Sequence, residues 1–344
     1  MEPSFNKPDL SQETIALREA WMRHDDAFLK DYLISDVEDP RIHFPSIFTR
    51  GMIVEALFSG KFRELMWEEY RFGICMSYMR RVFQQRPSSG TSGFLLEALK
   101  QGDESFQAIP VPAYMHASWQ QLNNASGSGS NYIAACLEQG VSGEKAASFQ
   151  PELLNTFQQR WRDALPDHAE CSLKVMEPAC GSANDYRFLH SFGLGACIDY
   201  EGFDVCPKNI SNARGMFPDI RFSEGSVFEV DAQDRAIDFL YVHDLFEHLS
   251  IAGMERGLEE LCRVTRGTAC LCFFNMAERA DHLVQPKEGY HWNRLSLEKI
   301  TRFLDSRCEQ LQVIHTASFL HQAFDCNDYH NPGSYALVLN FHEN

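Results

Sequence analysis

The chain lacks long apolar runs, paired cysteines and a targeting pattern at its first residues. Residues 1–8 contain neither a basic n-region nor an apolar h-region, so we expect no secretion signal. No apolar stretch approaches the roughly 20 residues that cross a bilayer, so we expect no membrane association. The 11 cysteines include no C-x-x-C pair, and Cys270 and Cys272 lie in an apolar run. This pattern is typical of buried, reduced thiols and predicts a cytoplasmic protein.

Basic residues are also scarce. The 31 Lys and Arg against 48 Asp and Glu give a formal charge of −17 at pH 7. A field of this sign repels phosphate backbones, and no Lys/Arg stripe offsets it, so we expect no nucleic-acid partner. With 344 residues and 44% hydrophobic content, the chain is long and apolar enough for one large domain or two ordinary ones.

The pattern changes near residue 150, and no internal repeat crosses that point. In residues 1–150, apolar residues recur three and four positions apart, as in Phe62–Phe72, which predicts amphipathic helices. A helical region of this kind is suited to covering a site as a lid, to holding a substrate or to forming a homodimer.

Residues 151–344 alternate between short apolar runs and helical stretches, which predicts an α/β domain with a mostly parallel sheet. Pro207 is placed at the first turn of one such helix. The last two apolar runs, Leu311–Phe319 and Tyr335–Phe341, are joined by a segment rich in Asp, Asn, His, Pro and Gly. We expect no crossover helix there, so these two strands should pair antiparallel.

The most informative segment is the turn that follows the apolar run at Val175. Dinucleotide sites need three glycines at this turn, because the backbone must approach a pyrophosphate. Here only Gly181 is present, with Ala179 and Ser182 nearby. The acid that leads the turn, Glu177, is unfavourable beside a phosphate but favourable beside an ammonium or sulfonium.

From about residue 150 to 344 the chain resembles the class I S-adenosylmethionine-dependent methyltransferases. Four motifs occur in the family's order: Glu177–Gly181 as acid-x-x-x-Gly, Gly202–Asp204 as Gly-x-Asp, then Glu224–Val227 and Ile237–Asp244. The resemblance implies a Rossmann-like, mostly parallel seven-stranded sheet with a terminal antiparallel hairpin. It also implies S-adenosyl-L-methionine as the cofactor.

By the same resemblance, Asp204 would accept hydrogen bonds from the ribose hydroxyls and Val205 would pack on the adenine. The alternative for Asp204 is a helix N-cap or a solvent-facing strand end. Ser226 stands where many members have an Asp that binds the adenine amino group, and a serine can accept the same bond more weakly. The implied cofactor residues are Glu177, Ala179, Gly181, Asp204, Val205, Ser226, Val227 and His243.

Acceptor chemistry is expected at Val242–Leu249, at the carboxyl end of a central strand. The segment lacks the Asn or Asp, two prolines and aromatic that mark enzymes methylating nucleobase amines. Its imidazole and carboxyl groups suit removal of a proton from a hydroxyl as the methyl arrives. We therefore expect O-methylation of a small-molecule acceptor, with His243 and His248 as candidate bases and Asp244 orienting them.

The same segment leaves a metal-dependent alternative open. Asp244, Glu247 and His248 are similar to the Glu-x-x-Glu-His ligands of ubiquinone-pathway O-methyltransferases and small-RNA 2′-O-methyltransferases, so a divalent ion could acidify the acceptor hydroxyl. We favour a site without metal, because in many methyltransferases of this class a similar Glu-His pair merely begins the next helix.

Substrate contacts are expected at His291 and Trp292, which precede the last helix before the hairpin. The alternative is that Trp292 fills the core and Ser296 caps that helix. In the N-terminal region, Arg41–Pro45 and Thr49–Gly51 are candidate acceptor contacts, although packing and capping explain them equally well.

Two other functions compete with methyl transfer. The chain could be a non-catalytic, cofactor-binding partner or regulatory subunit of another methyltransferase, since spacing alone dictates no catalytic residue. It could also be a nicotinamide oxidoreductase, although the glycines that such an enzyme needs are missing.

The cofactor assignment predicts a selective thermal shift. A ligand that binds only the folded state raises the melting temperature, so S-adenosylhomocysteine should raise it and NAD should not. The measurement is differential scanning fluorimetry with each ligand in excess. Stabilisation by NAD alone would overturn the assignment in favour of the oxidoreductase.

Overall fold

The computed structural model describes residues 8–24, 44–86, 91–106, 109–125, 127–138, 159–165 and 173–341. Helices dominate the described part before residue 139: α1 (Ser11–Met22), α2 (Phe44–Leu57), α3 (Arg63–Gln85), α4 (Thr91–Gln101), α5 (Ala113–Ala125) and α6 (Ser128–Glu138). Two short strands, β1 (Ser105–Phe106) and β2 (Ile109–Pro110), pair antiparallel between α4 and α5. The expected helical N-terminal region is confirmed, whereas the expected boundary at residue 150 lies outside the described residues.

Beyond residue 173 strands and helices alternate, as the apolar pattern predicts. The elements are β3 (Lys174–Pro178), α7 (Asn184–Ser191), β4 (Asp199–Asp204), α8 (Pro207–Met216), β5 (Arg221–Glu224), β6 (Ile237–His243), α9 (Ile251–Val264), β7 (Thr265–Phe273), β8 (Met276–Ala277), β9 (Leu295–Ser296), α10 (Leu297–Asp305), β10 (Gln310–His315), α11 (Thr316–Phe324) and β11 (Tyr335–Asn340).

Seven of these strands form one sheet in the order β10-β11-β7-β6-β3-β4-β5. The pairs from β7 to β5 are parallel, and β11 pairs antiparallel with both β7 and β10. The expected Rossmann-like sheet with a terminal antiparallel hairpin is therefore confirmed. Its carboxyl edge gathers the loops that follow β3, β4, β6 and β7.

One expectation about the hairpin is wrong. The connection between β10 and β11 contains the nine-residue helix α11, and the apolar run beginning at Leu311 leaves the sheet after His315. Leu320 and Phe324, four positions apart, face the core on one side of α11. The apolar run Leu311–Phe319 is therefore the end of a strand followed by the start of a helix. Because it is apolar throughout, it does not show where the two-residue period of a strand gives way to the 3.6-residue period of a helix.

The two faces of the sheet are covered by different helices, and alternate strand residues divide between them. Phe239 and Tyr241 pack with the N-terminal helices in one continuous core. Leu240 and Val242 pack with α9 and α10 in another. The N-terminal helices thus share their core with the sheet.

Local signals explain where the helices begin. Pro207 stands at the first position of α8, where a missing N–H costs nothing. Ser250 caps α9 by accepting from the Gly253 N–H at 2.9 Å, and Ser296 caps α10 by accepting from Lys299 N–H at 3.2 Å. The capping role considered for Ser296 is therefore present.

Helix α1 lies across the loops at the carboxyl edge. The Glu13 carboxylate accepts from the Ser250 N–H at 2.7 Å and from its hydroxyl at 2.6 Å. Arg18 pairs with Glu224 at 2.7 Å and Arg23 with Glu288 at 3.1 Å. These contacts fasten α1 to loops more than 200 residues away in sequence.

No helix within the described ranges is long and apolar enough to cross a membrane.

Gly267 lies at an irregularity in the pairing of β6 with β7. The register of β6 against β7 shifts between Ile237 and Phe239, and a Cβ at Gly267 would lie 2.4 Å from the Asp238 carbonyl oxygen. We expect Gly267→Ala to lower the free energy of unfolding by about 1–3 kcal/mol, because the backbone must move to admit the methyl group. Urea unfolding measures this change.

The matched control is Gly215→Ala in α8, where a Cβ would meet no heavy atom within 4 Å. There we expect a gain of up to about 1 kcal/mol, since alanine is the better helix former. Equal stabilities for the two variants would contradict the proposed crowding at Gly267.

Candidate functional site at the carboxyl edge of the sheet

A cavity of about 130 Å³ opens where β3, β4 and β6 end. Parallel sheets bind ligands at this edge, next to the point where the strand order reverses, here between β3 and β6. Three loops and two N-terminal helices line the cavity. Their residues are Leu17, Trp21, Arg50, Glu177, Ala179, Cys180, Gly181, Asn184, Asp185, Asp204, Val205, Asn209, His243, Asp244, Leu245 and His248.

The turn after β3 passes through left-handed backbone. Ala179, Gly181 and Ala183 have φ angles of 56°, 55° and 67°. A side chain at Gly181 would meet no heavy atom within 4 Å, so its backbone angle rather than crowding favours glycine. The Gly181 N–H donates to Asp204 Oδ2 at 3.0 Å, which ties the turn to the end of β4.

Glu177 is buried at the end of β3 and is held by two phenols. Its Oε2 accepts from the Tyr241 hydroxyl at 2.6 Å and from the Tyr200 hydroxyl. Burial, with the nearby charge of Asp185, raises the pKa of Glu177 to about 8. The carboxyl group is thus fixed in orientation, and a cation in the cavity would favour its ionised form.

Asp204 ends β4 and accepts three hydrogen bonds. Besides the Gly181 N–H, its donors are the Cys206 N–H at 2.8 Å and the Asn209 side-chain amide at 3.3 Å. Burial raises the pKa of Asp204 against the opposing effect of these donors. A carboxylate can accept about four hydrogen bonds, so one position is left for a ligand hydroxyl.

Two expected cofactor residues lie away from the cavity lining. Ser226 Oγ is 3.4 Å from Thr14 Oγ1 of α1 and accepts from the Phe228 N–H at 3.3 Å. Val227 is buried against Gly257 of α9. The other six expected positions line the cavity, while the roles of Ser226 and Val227 stay predictions.

A buried row of charged groups crosses the cavity wall. Asp185 Oδ1 pairs with Arg50 Nε at 2.5 Å, and Asp185 Oδ2 pairs with His243 Nδ1 at 2.8 Å. The other ring nitrogen, His243 Nε2, lies 3.4 Å from Asp244 Oδ1. Asp244 holds a left-handed backbone angle, with φ of 54°. Both ring nitrogens of His243 therefore face carboxylates.

These carboxylates determine the charge of His243. Burial alone would lower its pKa, but Asp244 and Asp185 outweigh that effect and raise the pKa to about 9. Burial would likewise raise the pKa of Asp185, yet His243 and Arg50 hold it well below its usual range. At neutral pH the pair is an imidazolium and a carboxylate.

His248 has the opposite character. Its Nδ1 lies 3.2 Å from the His291 carbonyl oxygen, which can only accept, so Nδ1 carries the proton and Nε2 the lone pair in the neutral ring. Burial lowers the pKa of His248. This imidazole is neutral at physiological pH.

Glu247 points into the protein rather than toward a ligand. Its Oε1 accepts from the Phe274 and Asn275 N–H groups at 2.8 and 3.1 Å, and burial raises its pKa to about 8. Within the described residues, no three His, Cys, Asp or Glu side chains are grouped to hold a metal ion. The contacts of Glu247 explain why it does not join Asp244 and His248 in such a group.

The two expected substrate residues lie beside His248 rather than in the cavity lining. His291 contacts it through backbone, since the His291 N–H donates to the His248 carbonyl at 3.0 Å. The Trp292 ring centroid is 5.2 Å from that of His248, and Trp292 is 43% exposed, so it does not fill the core. Phe274 and Tyr290 complete an aromatic group around the imidazole. Substrate contact stays a prediction.

Four lining residues were not predicted for their observed roles. Leu17 and Trp21 belong to α1, and no local pattern indicates which distant loop an amphipathic helix covers. Arg50 was named only as a general acceptor candidate, and Asp185 was passed over although an acid just after the turn is a usable signal. Residues 41–43 and the side chains of Phe44 and Pro45 lie outside the described residues, whereas Thr49 and Gly51 are buried in α2 and do not line the cavity.

Comparison with known proteins agrees with this geometry. Residues 175–267 match a family described as a methyltransferase domain. The matched stretch runs from β3 to the start of β7 and includes the strand ends that line the cavity. The match agrees with S-adenosylmethionine as the cofactor, which the resemblance of the four motifs implies. No curated protein sequence matches the chain.

Solved structures similar to this chain include three methyltransferases. A putative methyltransferase in complex with the Trm112 activator of Haloferax volcanii is 16% identical, with 54% of this chain and 88% of that chain covered and a TM-score of 0.38. A Mesorhizobium loti S-adenosylmethionine-dependent methyltransferase is 13% identical, with 53% of this chain and 96% of that chain covered and a TM-score of 0.38. An S-adenosylmethionine-dependent methyltransferase from Methanosarcina mazei is 12% identical, with 50% of this chain and 94% of that chain covered and a TM-score of 0.38. At this level of similarity we draw nothing from them about the acceptor.

The residues of the methyltransferase domain fit this cofactor. The turn at Gly181 is open to the cavity, and Asp204 retains an acceptor position for a ribose hydroxyl. Val205 lines the cavity beside it. The carboxyl groups of Glu177 and Asp204 favour the positive charges of a sulfonium and an amino group. These residues would hold the cofactor at the ends of β3 and β4.

The His243–Asp185 pair makes stability depend on pH. The raised pKa of His243 contributes stability that is complete below the unfolded value near 6.5 and is lost as the pH rises through about 9. The lowered pKa of Asp185 contributes above its unfolded value near 3.8 and is lost only as the pH falls through the folded value.

Replacing the shared carboxylate tests this assignment. We expect Asp185→Asn to lower the pKa of His243 by at least about one unit, since burial then acts against a weaker opposing charge. Histidine NMR titration measures it, with the other imidazole resonances as internal references. The control Asp238→Asn removes a carboxylate that faces Arg266. An unchanged His243 titration in Asp185→Asn would contradict the assignment.

Proposed function

We propose that this chain transfers the methyl group of S-adenosylmethionine to a hydroxyl of a small-molecule acceptor, and that His248 accepts the hydroxyl proton. The observation that carries the proposal is the state of His248. It lines the cavity as a neutral imidazole whose proton is engaged by a backbone carbonyl, so Nε2 can accept a proton.

His243, the other candidate base, has a different role in this proposal. Its imidazole is already protonated at neutral pH and is held between Asp185 and Asp244. A protonated ring cannot take a further proton, so His243 acts as a fixed positive charge. It positions Asp244, whose carboxyl group lies on the cavity wall close to His248.

When bound, the cofactor supplies an electrophilic methyl group on a positively charged sulfur. The chain's own contribution is then to align the acceptor, to exclude water and to remove one proton. Leu17 and Trp21 cover the cavity with apolar surface, which limits competing hydrolysis. Alignment of the reacting groups accounts for most of the acceleration in such a displacement, and the base adds to it.

The aromatic group around His248 supports a ring-bearing acceptor. Trp292, Tyr290 and Phe274 surround the imidazole, and the exposed part of Trp292 offers a flat apolar surface to an incoming ring. A phenol, a saccharide or a polyketide hydroxyl would meet both this surface and His248. We therefore expect the acceptor to contain a ring.

We also propose that the protein is cytoplasmic. Nine cysteines among the described residues are free thiols, and most of them are buried, which suits a reducing, cytoplasmic compartment. A homodimer formed through the N-terminal helices stays a prediction.

Kinetics of histidine variants test the proposal. We expect His248→Ala to reduce kcat by about a hundredfold with the acceptor, because the proton loses its receiver. S-adenosylhomocysteine binding, measured by calorimetry, should change by less than about twofold, since the ribose and turn contacts are intact. In the wild type, kcat should rise with pH through a value below the usual imidazole pKa of 6.5 and then level off.

The matched control is His321→Ala, which removes an exposed imidazole on α11 and should leave both quantities unchanged. Methyl transfer is followed as S-adenosylhomocysteine release over a panel of phenols, sugars and polyketides. Full turnover in His248→Ala, or loss of the pH-dependent rise in His321→Ala, would remove His248 from the mechanism.

A further inference from the structure

A second cavity, of about 270 Å³, lies between α2, α3 and the hairpin side of the sheet. Thr268 near the start of β7 and Asn340 at the end of β11 form its floor, so it lies toward the amino ends of the parallel strands. The methyltransferase site lies at the other edge. Its volume is just below the range of drug-sized sites, which suits a small metabolite.

Two polar groups in this cavity are buried and lie beside each other. The Tyr70 hydroxyl is fully buried and lies close enough to the Glu55 carboxylate to interact with it, but neither the hydroxyl nor Glu55 Oε1 has a hydrogen bond of ordinary geometry within the described residues. Native proteins seldom leave such groups unsatisfied, because each costs free energy comparable to a lost hydrogen bond. Both groups can accept from a donor in the cavity, and a carboxylate favours a charged donor.

Arg63 supplies the opposite charge at the mouth. Its Nε lies 3.3 Å from Glu55 Oε2, and its side chain is 62% exposed. The guanidinium has five N–H groups, and this contact uses one of them. The cavity therefore presents a carboxylate oxygen inside and guanidinium donors at the entrance, within one small space.

The remaining lining is largely apolar. Ile314, Phe319 and Val338 of the hairpin and α11 face Met52 and Ala56 of α2 across the cavity. Apolar walls with a few placed polar groups are the usual composition of small-molecule sites. A ligand that matches the carboxylate, the guanidinium and the apolar wall has one positively charged group, one negatively charged group and a short apolar side chain.

We propose that this cavity binds a free α-amino acid with an apolar side chain, its ammonium group on Glu55 and Tyr70 and its carboxylate on Arg63. The side chain then packs against Ile314, Phe319 and Val338. Burial raises the pKa of Glu55 even with Arg63 beside it, and an ammonium partner would offset this effect. The site is separate from the methyltransferase site and does not depend on the proposed acceptor.

Calorimetric titration of the full chain with L-leucine tests the proposal. Saturating S-adenosylhomocysteine is present throughout, so that the cofactor's own amino-acid contacts are occupied. We expect saturable binding of leucine to the wild type, and weakening by at least about tenfold in Glu55→Gln and in Tyr70→Phe. The control Glu64→Gln removes an exposed carboxylate from α3 outside the cavity and should bind as the wild type does.

Two leucine analogues separate the charges of the ligand. Leucinamide lacks the carboxylate and 4-methylpentanoate lacks the ammonium group, and each should bind at least about tenfold more weakly than leucine. Absence of leucine binding to the wild type, equal binding to all three variants, or an analogue that binds as tightly as leucine would each overturn the proposal.

Discussion

The buried ion pair between Arg50 and Asp185 joins the N-terminal helices to the sheet, and the methyltransferase site depends on it. Arg50 comes from α2, Asp185 from the first turn of α7, and the other oxygen of Asp185 holds His243 at the end of β6. Removing one member of a buried pair costs about 3–5 kcal/mol, because an uncompensated charge is left inside. One carboxylate thus sets the position of α2 against the sheet and the protonation state of a histidine in the site.

Much of the fold could be predicted because its signals are local. The apolar run before Glu177, the single glycine at position 181 and the acid at the end of β4 lie within about 30 residues, and their roles follow from strand, turn and helix chemistry. Pro207 marked the start of α8 for the same reason. The antiparallel pairing of β10 and β11 is confirmed, although the connection that was expected to lack a helix contains α11.

The rest of the site depends on contacts between distant residues. His243 and His248 have similar neighbours in sequence, yet one faces Asp185, 58 residues away, and the other a backbone carbonyl 43 residues away. Their opposite charge states follow from these partners and from no pattern in the segment itself. Burial of Glu247 against the loop after β7 is likewise a tertiary result, so spacing alone could not decide whether it joins a metal site.

The contacts that hold α1 on the sheet also have a consequence for the order of folding. Its partners Glu224, Ser250 and Glu288 follow their α1 residues by more than 200 positions in the sequence and are synthesised correspondingly later. The helix therefore has none of these partners to dock on until those loops are made, and contacts of such long sequence separation form late. The wall of the cavity that carries Leu17 and Trp21 is therefore completed only after the loops that it covers have been made.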